Sequence, residues 1–388
     1  MNDKPPFHQT ESEFGCPYDC GICSQHKQDV CCVLLELTER CNQHCPFCFA
    51  SSGETSGNPE MTLAQISALY DSILAKSPHH PYNIQLSGGE PTMREDLTEI
   101  IAMGKAKGFT YIQLNTNGKK LADSLAYAKE LQKAGLDCAY LQFDGMRDEV
   151  YQKLRGEPLL AVKKQAVAHC AEAGIGVVLV VTLVPGVNIQ EIGAIIDYAL
   201  QHLPAVRGVS FQPVSYFGRF PTPPKDEMRF TIPEVLREIQ QQTGGRMKKQ
   251  DFLPLLSGDC YCSFHGNFVV MPDDSIVGIS SDENRNCCCG GNINAITRAR
   301  EYIADKFRAN PKTVVGGCDF TSWDLFVKQV SARGLCITCE AFQDVWNFDV
   351  LRTQKCRLYV GTPEQKLVPF CVYHLTDVKG RFLYGGCR

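Results

Sequence analysis

The chain has 388 residues, a formal net charge of −4 and 44% apolar residues, enough to bury a core in one large domain or two ordinary ones. No apolar run approaches the roughly 20 residues of a membrane span, and residues 1–14 are polar without an apolar signal-peptide centre, so no integral membrane segment is expected and the reading is cytoplasmic. The charge balance offers no basic field, which excludes nucleic acid as an expected partner.

In chain order, strands are expected at 33–37, 82–86, 111–114, 138–143, 177–183 and 208–212, all near-continuous apolar runs of the kind covered on both faces. Helical spacing of apolar residues fills 63–75, 97–106, 121–134 and 189–203 between them. That alternation predicts repeated βα units and a parallel sheet. After residue 230 the pattern changes to a helix at 233–242, a polar Gly-containing link at 240–249, and two hairpins at 268–279 and 358–370 around the turn formers PDDS and PEQK. The expected division is a Cys-rich segment at 1–32, a βα unit at 33–225 and a Cys-rich region at 226–388.

Cysteine is the outlier, with 21 residues: five between 16 and 32, three between 41 and 48, and eleven after 259. In a chain without a secretion signal, thiols stay reduced, and grouped soft thiolates bind zinc or iron–sulfur clusters. Cys41, Cys45 and Cys48 directly follow the first strand, so their loop leaves the C-terminal mouth of the sheet, where active sites of such folds gather. Three thiolates can hold three irons of a cubane and leave the fourth open to a small ligand. A zinc knuckle completed by a distant residue is the alternative.

Gly88, Gly89 and Glu90 stand at the end of the second strand, where glycine permits close backbone approach and a carboxylate suits an ammonium. Asn115 and Asn117 follow the third strand, Gln142 and Asp144 the fourth, and Arg155 lies shortly after. Taken singly, each is an ordinary turn or helix cap. Taken together with the cysteine loop, they resemble the radical SAM superfamily.

That resemblance implies an α/β fold, an open partial (βα)6 barrel over about residues 33 to 220. It implies a 4Fe–4S cluster on Cys41, Cys45 and Cys48 whose open iron chelates S-adenosyl-L-methionine. Gly88, Gly89 and Glu90 would position the methionine amino group, Asn115, Asn117, Gln142 and Asp144 would face ribose or substrate, and Arg155 would oppose the cofactor carboxylate. The implied chemistry is reductive cleavage to a 5′-deoxyadenosyl radical, supplied by the cofactor, with an electron donor such as flavodoxin or ferredoxin.

The N-terminal CPYDCGIC segment, with Cys339, Trp346-Asn347-Phe348-Asp349, Cys356 and Pro369-Phe370-Cys371 in the tail, resembles a multi-cluster subgroup that includes archaeal pterin methyltransferases and tetraether lipid synthases. It implies auxiliary clusters, one grouped as Cys16, Cys20, Cys23 and Cys31, another as Cys336, Cys339, Cys356 and Cys371. A third set is open among Cys260, Cys262, Cys287, Cys288, Cys289 and Cys318, Cys387 is unassigned, and Cys32, Cys138 and Cys170 read as small core residues. The subgroup implies a small-molecule or lipid substrate and carbon–carbon bond formation, by methylating or alkylating a heterocycle such as a pterin or by joining lipid chains. Radical modification of a peptide or protein side chain and a non-catalytic electron carrier stay open. No general base is identified: Tyr216, Asp259, His265 and His374 read as structural, His265 being the one placed to ligate metal.

Overall fold

The structure, a computed structural model, describes residues 15–53, 59–77, 81–254, 258–280, 300–309 except 302 and 305, and 332–384. Strands β1 (Cys32–Thr38), β2 (Asn83–Gly88), β3 (Ile112–Thr116), β4 (Cys138–Gln142), β5 (Gly176–Leu183) and β6 (Val206–Pro213) lie side by side in chain order. Every neighbouring pair is parallel. This is the expected βα arrangement, with all six strands at their expected places.

Helices α1 (Leu63–Lys76), α2 (Leu97–Lys107), α3 (Lys119–Asp123), α4 (Leu125–Ala134), α5 (Asp148–Arg155), α6 (Leu160–Ala173) and α7 (Ile192–Gln201) make the crossovers, and α8 (Ile232–Gln242) follows β6. The helix expected over 121–134 is two helices. Ser124 takes an extended backbone and its hydroxyl accepts the Tyr127 N–H at 3.1 Å, the local bond by which serine ends one helix and caps the next.

Later strands extend this sheet at both ends. After β7 (Phe252–Pro254), β8 (Ser263–Val270) and β9 (Ile276–Gly278), strand β10 (Gly334–Glu340) pairs parallel to β6, while β11 (Leu358–Gly361) pairs parallel to β1 and carries β12 (Leu367–Pro369). The two expected hairpins are the antiparallel pairs β8–β9 and β11–β12.

Apolar residues of the strands and the inward faces of the helices form the main core, including Leu35, Ile84, Leu114 and Leu179 against Ile66, Ile100, Leu131 and Ile195. A smaller cluster of Tyr111, Cys138, Val178, Ala304, Phe307 and Cys336 packs separately. Cys138 and Cys170 are core residues, as expected. Cys32 is not: it lines the internal cavity described below. Among the described residues no helix is long and apolar enough to cross a membrane.

Candidate active site

The C-terminal ends of the strands open onto a cavity of about 280 Å³. Cys41, Cys45, Cys48, Gly88, Gly89, Glu90, Asn115, Asn117, Gln142 and Arg155 all line it. Asp144 stands behind them, holding Arg155.

The cysteine loop is fixed mostly through its backbone. Cys41 N–H donates to Gly53 O at 2.7 Å, and Cys48 pairs with Arg219 through two backbone bonds of 2.9 Å. The Arg219 guanidinium donates to Cys45 O at 2.8 Å and Ser52 O at 2.9 Å. From below, the Gly88-Gly89 turn closes on the loop: Gly89 N–H donates to Thr38 O at 2.7 Å and Glu90 N–H to Arg40 O at 2.9 Å. The three thiols therefore share one wall of the cavity while the loop spends its main-chain donors elsewhere.

Burial pushes the Cys41 thiol up to about 12, with neighbouring Glu90, Cys45 and Cys48 adding to the rise. Burial also raises Cys45, against the pull of the Arg155 cation. Thiols in this state lose their protons to solvent chiefly when a metal cation takes the sulfur as thiolate. Among the described residues no three His, Cys, Asp or Glu side chains converge as ligands of a single ion would. A cubane asks for something different, sulfurs spread around its corners, and a loop with three thiols along one wall suits that.

Glu90 is 1% exposed and its carboxylate accepts from Thr92 N–H at 3.2 Å, Thr92 Oγ1 at 2.7 Å, Thr116 Oγ1 at 2.7 Å and Asn117 N–H at 2.7 Å. These neutral donors hold a negative charge at the cavity edge and tie the ends of β2 and β3 together. Arg155, also lining the cavity, is bidentate to Asp144 (2.7 and 2.8 Å) and donates to Thr182 Oγ1 at 3.0 Å. Burial opposes its charge, but Asp144 more than restores it, so the guanidinium pKa sits above its ordinary value. A carboxylate and a guanidinium bordering one cavity match a zwitterionic amino-acid head.

Asp144 is fully buried, so Asp144→Asn leaves a buried guanidinium half-paired. The expected cost is about 3 kcal/mol of stability, read as a fall in Tm, together with weaker S-adenosylmethionine binding in equilibrium dialysis.

The family model for the radical SAM superfamily matches residues 35–199. The 7,8-dihydro-6-hydroxymethylpterin dimethyltransferase of Methanocaldococcus jannaschii is 32% identical over 425 aligned residues, covering 96% of this chain and 83% of that protein. The chain belongs to the radical SAM superfamily. Two further relatives match about half of their own length: the probable GTP 3′,8-cyclase of Methanothermobacter thermautotrophicus, 30% identical over 45% of this chain and 55% of that protein, and the Fe-coproporphyrin III synthase of Methanosarcina barkeri, 32% identical over 48% and 45%. Streptococcus suis SuiB bound to S-adenosylmethionine superposes on 56% of this chain and 47% of its own with 12% identity and a TM-score of 0.45.

As a radical SAM protein the chain is an enzyme that uses a 4Fe–4S cluster and S-adenosylmethionine, and the donor set at the mouth fits both. Three sulfurs, a side-chain-free glycine pair, a buried carboxylate and a buried guanidinium border one cavity.

The other thiols of this radical SAM chain group differently from expectation. Cys16 Sγ lies 3.7 Å from Cys20 Sγ, and Cys20 also senses the charges of Cys23 and Cys356. Cys371 senses Cys356 and Cys262, and packs in one apolar cluster with Cys16 and Cys20. Cys31 lines the cavity, near Arg357 and Arg300. The expected set of Cys336, Cys339, Cys356 and Cys371 is not assembled. Three residues apart on β10, Cys336 and Cys339 point to opposite faces of the sheet and pack in different core clusters. Cys260 and Cys262 lie just before β8, the Arg352 guanidinium donating to Cys262 Sγ at 3.4 Å. Cys287, Cys288, Cys289, Cys318 and Cys387 lie outside the described residues. Phe49, beside Cys48, meets Phe370 at a ring distance of 5.7 Å and so links the two thiol regions.

Two site residues escaped the sequence reading. Arg219 clamps the cysteine loop from the segment that follows β6. Lys163, fully buried on α6, donates to Asn117 O at 2.6 Å and Gln142 Oε1 at 3.1 Å; burial pushes its pKa down to about 8. A lone Lys within a helix carries no sequence signal. Arg219 follows a strand end at a glycine, which is the one hint available.

Proposed function

We propose that this radical SAM enzyme forms a carbon–carbon bond on a small nitrogen heterocycle of the pterin class, by methylation or a related alkylation. The observation that carries the reading is the alignment with the pterin dimethyltransferase, which runs over 96% of the chain rather than the barrel alone. A cavity of small-molecule size with many polar side chains supports it.

In this reading Cys41, Cys45 and Cys48 hold the cluster, Glu90 takes the ammonium of S-adenosylmethionine and Arg155 its carboxylate, while Asn115, Asn117 and Gln142 border ribose or substrate. Gly88 and Gly89 give the backbone its close approach, and Asp144 orients Arg155. When bound, the cluster and S-adenosylmethionine supply the one-electron chemistry that generates an organic radical. The Cys-rich segment 1–32 precedes the βα unit of 33–225, the region 226–388 adds strands to the same sheet, and auxiliary iron–sulfur binding is assigned to the thiols around Cys16, Cys20, Cys23, Cys356 and Cys371. A flavodoxin- or ferredoxin-type donor would deliver electrons in a cytoplasmic setting.

Anaerobically reconstituted protein given methyl-labelled S-adenosylmethionine, a reductant and 7,8-dihydro-6-hydroxymethylpterin is expected to place label on the pterin. Label confined to unreacted cofactor and methionine would count against methylation.

A further inference from the structure

Within the same cavity lies a polar layer that the cofactor reading does not use. Cys32 on β1, Gln85 on β2, Gln113 on β3, Tyr140 on β4, Glu340 at the end of β10 and Arg357 just before β11 all line it. Interior layers of such barrels are filled by Val, Ile and Leu when their task is packing. A ring of amides, a phenol, a carboxylate and a guanidinium has another task.

These groups form a connected set. Cys32 Sγ lies 3.8 Å from Gln85 Oε1, and Gln113 Nε2 donates to that same oxygen at 2.5 Å. Burial raises the Glu340 carboxyl and the nearby Arg357 cation pulls it back down, while burial, with Glu340 adding to it, raises Tyr140 and Cys32. Gln113 is 4% exposed, yet its Oε1 is buried without a hydrogen-bond partner. Turning the amide over does not help, because Gln85 Oε1 needs the donor it already has. A buried acceptor in that state costs about 1–3 kcal/mol. The oxygen is closed off from the cavity as it stands, and a ligand N–H, met by a shift of the Gln113 side chain toward the cavity it lines, would remove the cost.

The donors and acceptors narrow the ligand. An alkyl chain would leave the carboxylate, both amides and the phenol dry and unsatisfied, which is costly for each. A carboxylate offers two parallel acceptors, and an aminopyrimidinone offers the matching pair, a ring N–H beside an exocyclic amino group. Its ring carbonyl suits a guanidinium.

We propose that this layer is the substrate-recognition floor: Glu340 takes the ring N–H and amino group of an aminopyrimidinone heterocycle, and Gln113 Oε1 accepts a further N–H. The inference rests on the heterocycle reading above and names the residues that select the ring. With its polar edge held there, the substrate presents its far carbons to the mouth, beside Cys41, Cys45 and Cys48.

The test uses full-length, anaerobically reconstituted protein and two fluorescent probes, 6-hydroxymethylpterin and 6-hydroxymethyllumazine, its counterpart with a 2-oxo group in place of the 2-amino group. The parent is expected to prefer the pterin by about tenfold, the loss of one good hydrogen bond to a charged group. Glu340→Gln should erase that preference. Gln113→Met, on a different strand, should weaken binding of both probes by about fivefold or more and raise KM with little change in kcat. Pterin binding within twofold of the parent in both variants overturns the inference, and the heterocycle reading survives if methyl label still enters the pterin. If the parent binds neither ring and the label enters a lipid or peptide fraction, reading and inference fall together.

Discussion

Replacing Cys41, Cys45 and Cys48 together by alanine is expected to remove one cluster's complement of iron and sulfide and to bring reductive formation of 5′-deoxyadenosine to background. The fold should survive, because the loop is held by the backbone bonds of Cys41 to Gly53 and of Cys48 to Arg219 and by the Arg219 guanidinium, none of which uses a thiol. The Cys45 thiol approaches Gln43 Oε1 at 3.7 Å and meets the Arg155 guanidinium, but Arg155 keeps its bidentate bond to Asp144 without it, so the loss removes no strong structural bond. Iron elsewhere should remain, since Cys16, Cys20, Cys23, Cys356 and Cys371 gather in a separate apolar cluster or beside it. Iron and sulfide assays with Mössbauer spectra of the anaerobic parent and triple variant decide it. A variant with the parent's full iron content removes these three residues from the cluster.

The barrel was legible because its strands are buried on both faces, and sustained runs such as Val177–Leu183 have few other readings. The mouth was legible because cofactor chemistry demands particular residue types at strand ends, where chain order fixes their position. What was hidden depends on pairing across the fold. Cys336 and Cys339 look like a two-ligand pair in sequence, yet strand alternation sends them to opposite faces. Cys356 reads as a member of the tail but meets Cys20 from the N-terminal segment, because Cys31 and Cys32 both donate to Arg357 O and lay that segment against the start of β11. Gln85, Gln113 and Glu340 were invisible for the opposite reason. Gln85 and Gln113 are polar residues inside their strands and Glu340 ends another, and only closure of the barrel shows that they face the same space.

Gly89→Ala is expected to be as damaging to cofactor binding as loss of the thiols, with no ligand removed. A Cβ at Gly89 would stand 2.3 Å from Arg40 O and 2.8 Å from Glu39 O. Both are backbone atoms, so no rotamer change relieves the contact; the loop must lift. Lifting it breaks the 2.9 Å bond from Glu90 N–H to Arg40 O, and Cys41 is the next residue along. The same step shifts Glu90, whose carboxylate is pinned to Thr116 and Asn117 on the adjoining strand end. Cluster and ammonium sites therefore move together. Gly108→Ala supplies the control: this glycine, unlike Gly89, has a positive φ, +111°, but nothing lies within 4 Å of an added Cβ, so the cost is the backbone strain of about 1 kcal/mol. The expected pattern is a modest Tm loss for Gly108→Ala with the parent's EPR change on adding S-adenosylmethionine. Gly89→Ala should keep its circular dichroism spectrum but lose that EPR response. A Gly89→Ala protein that responds like the parent would show that the glycine pair does not set the height of the cysteine loop.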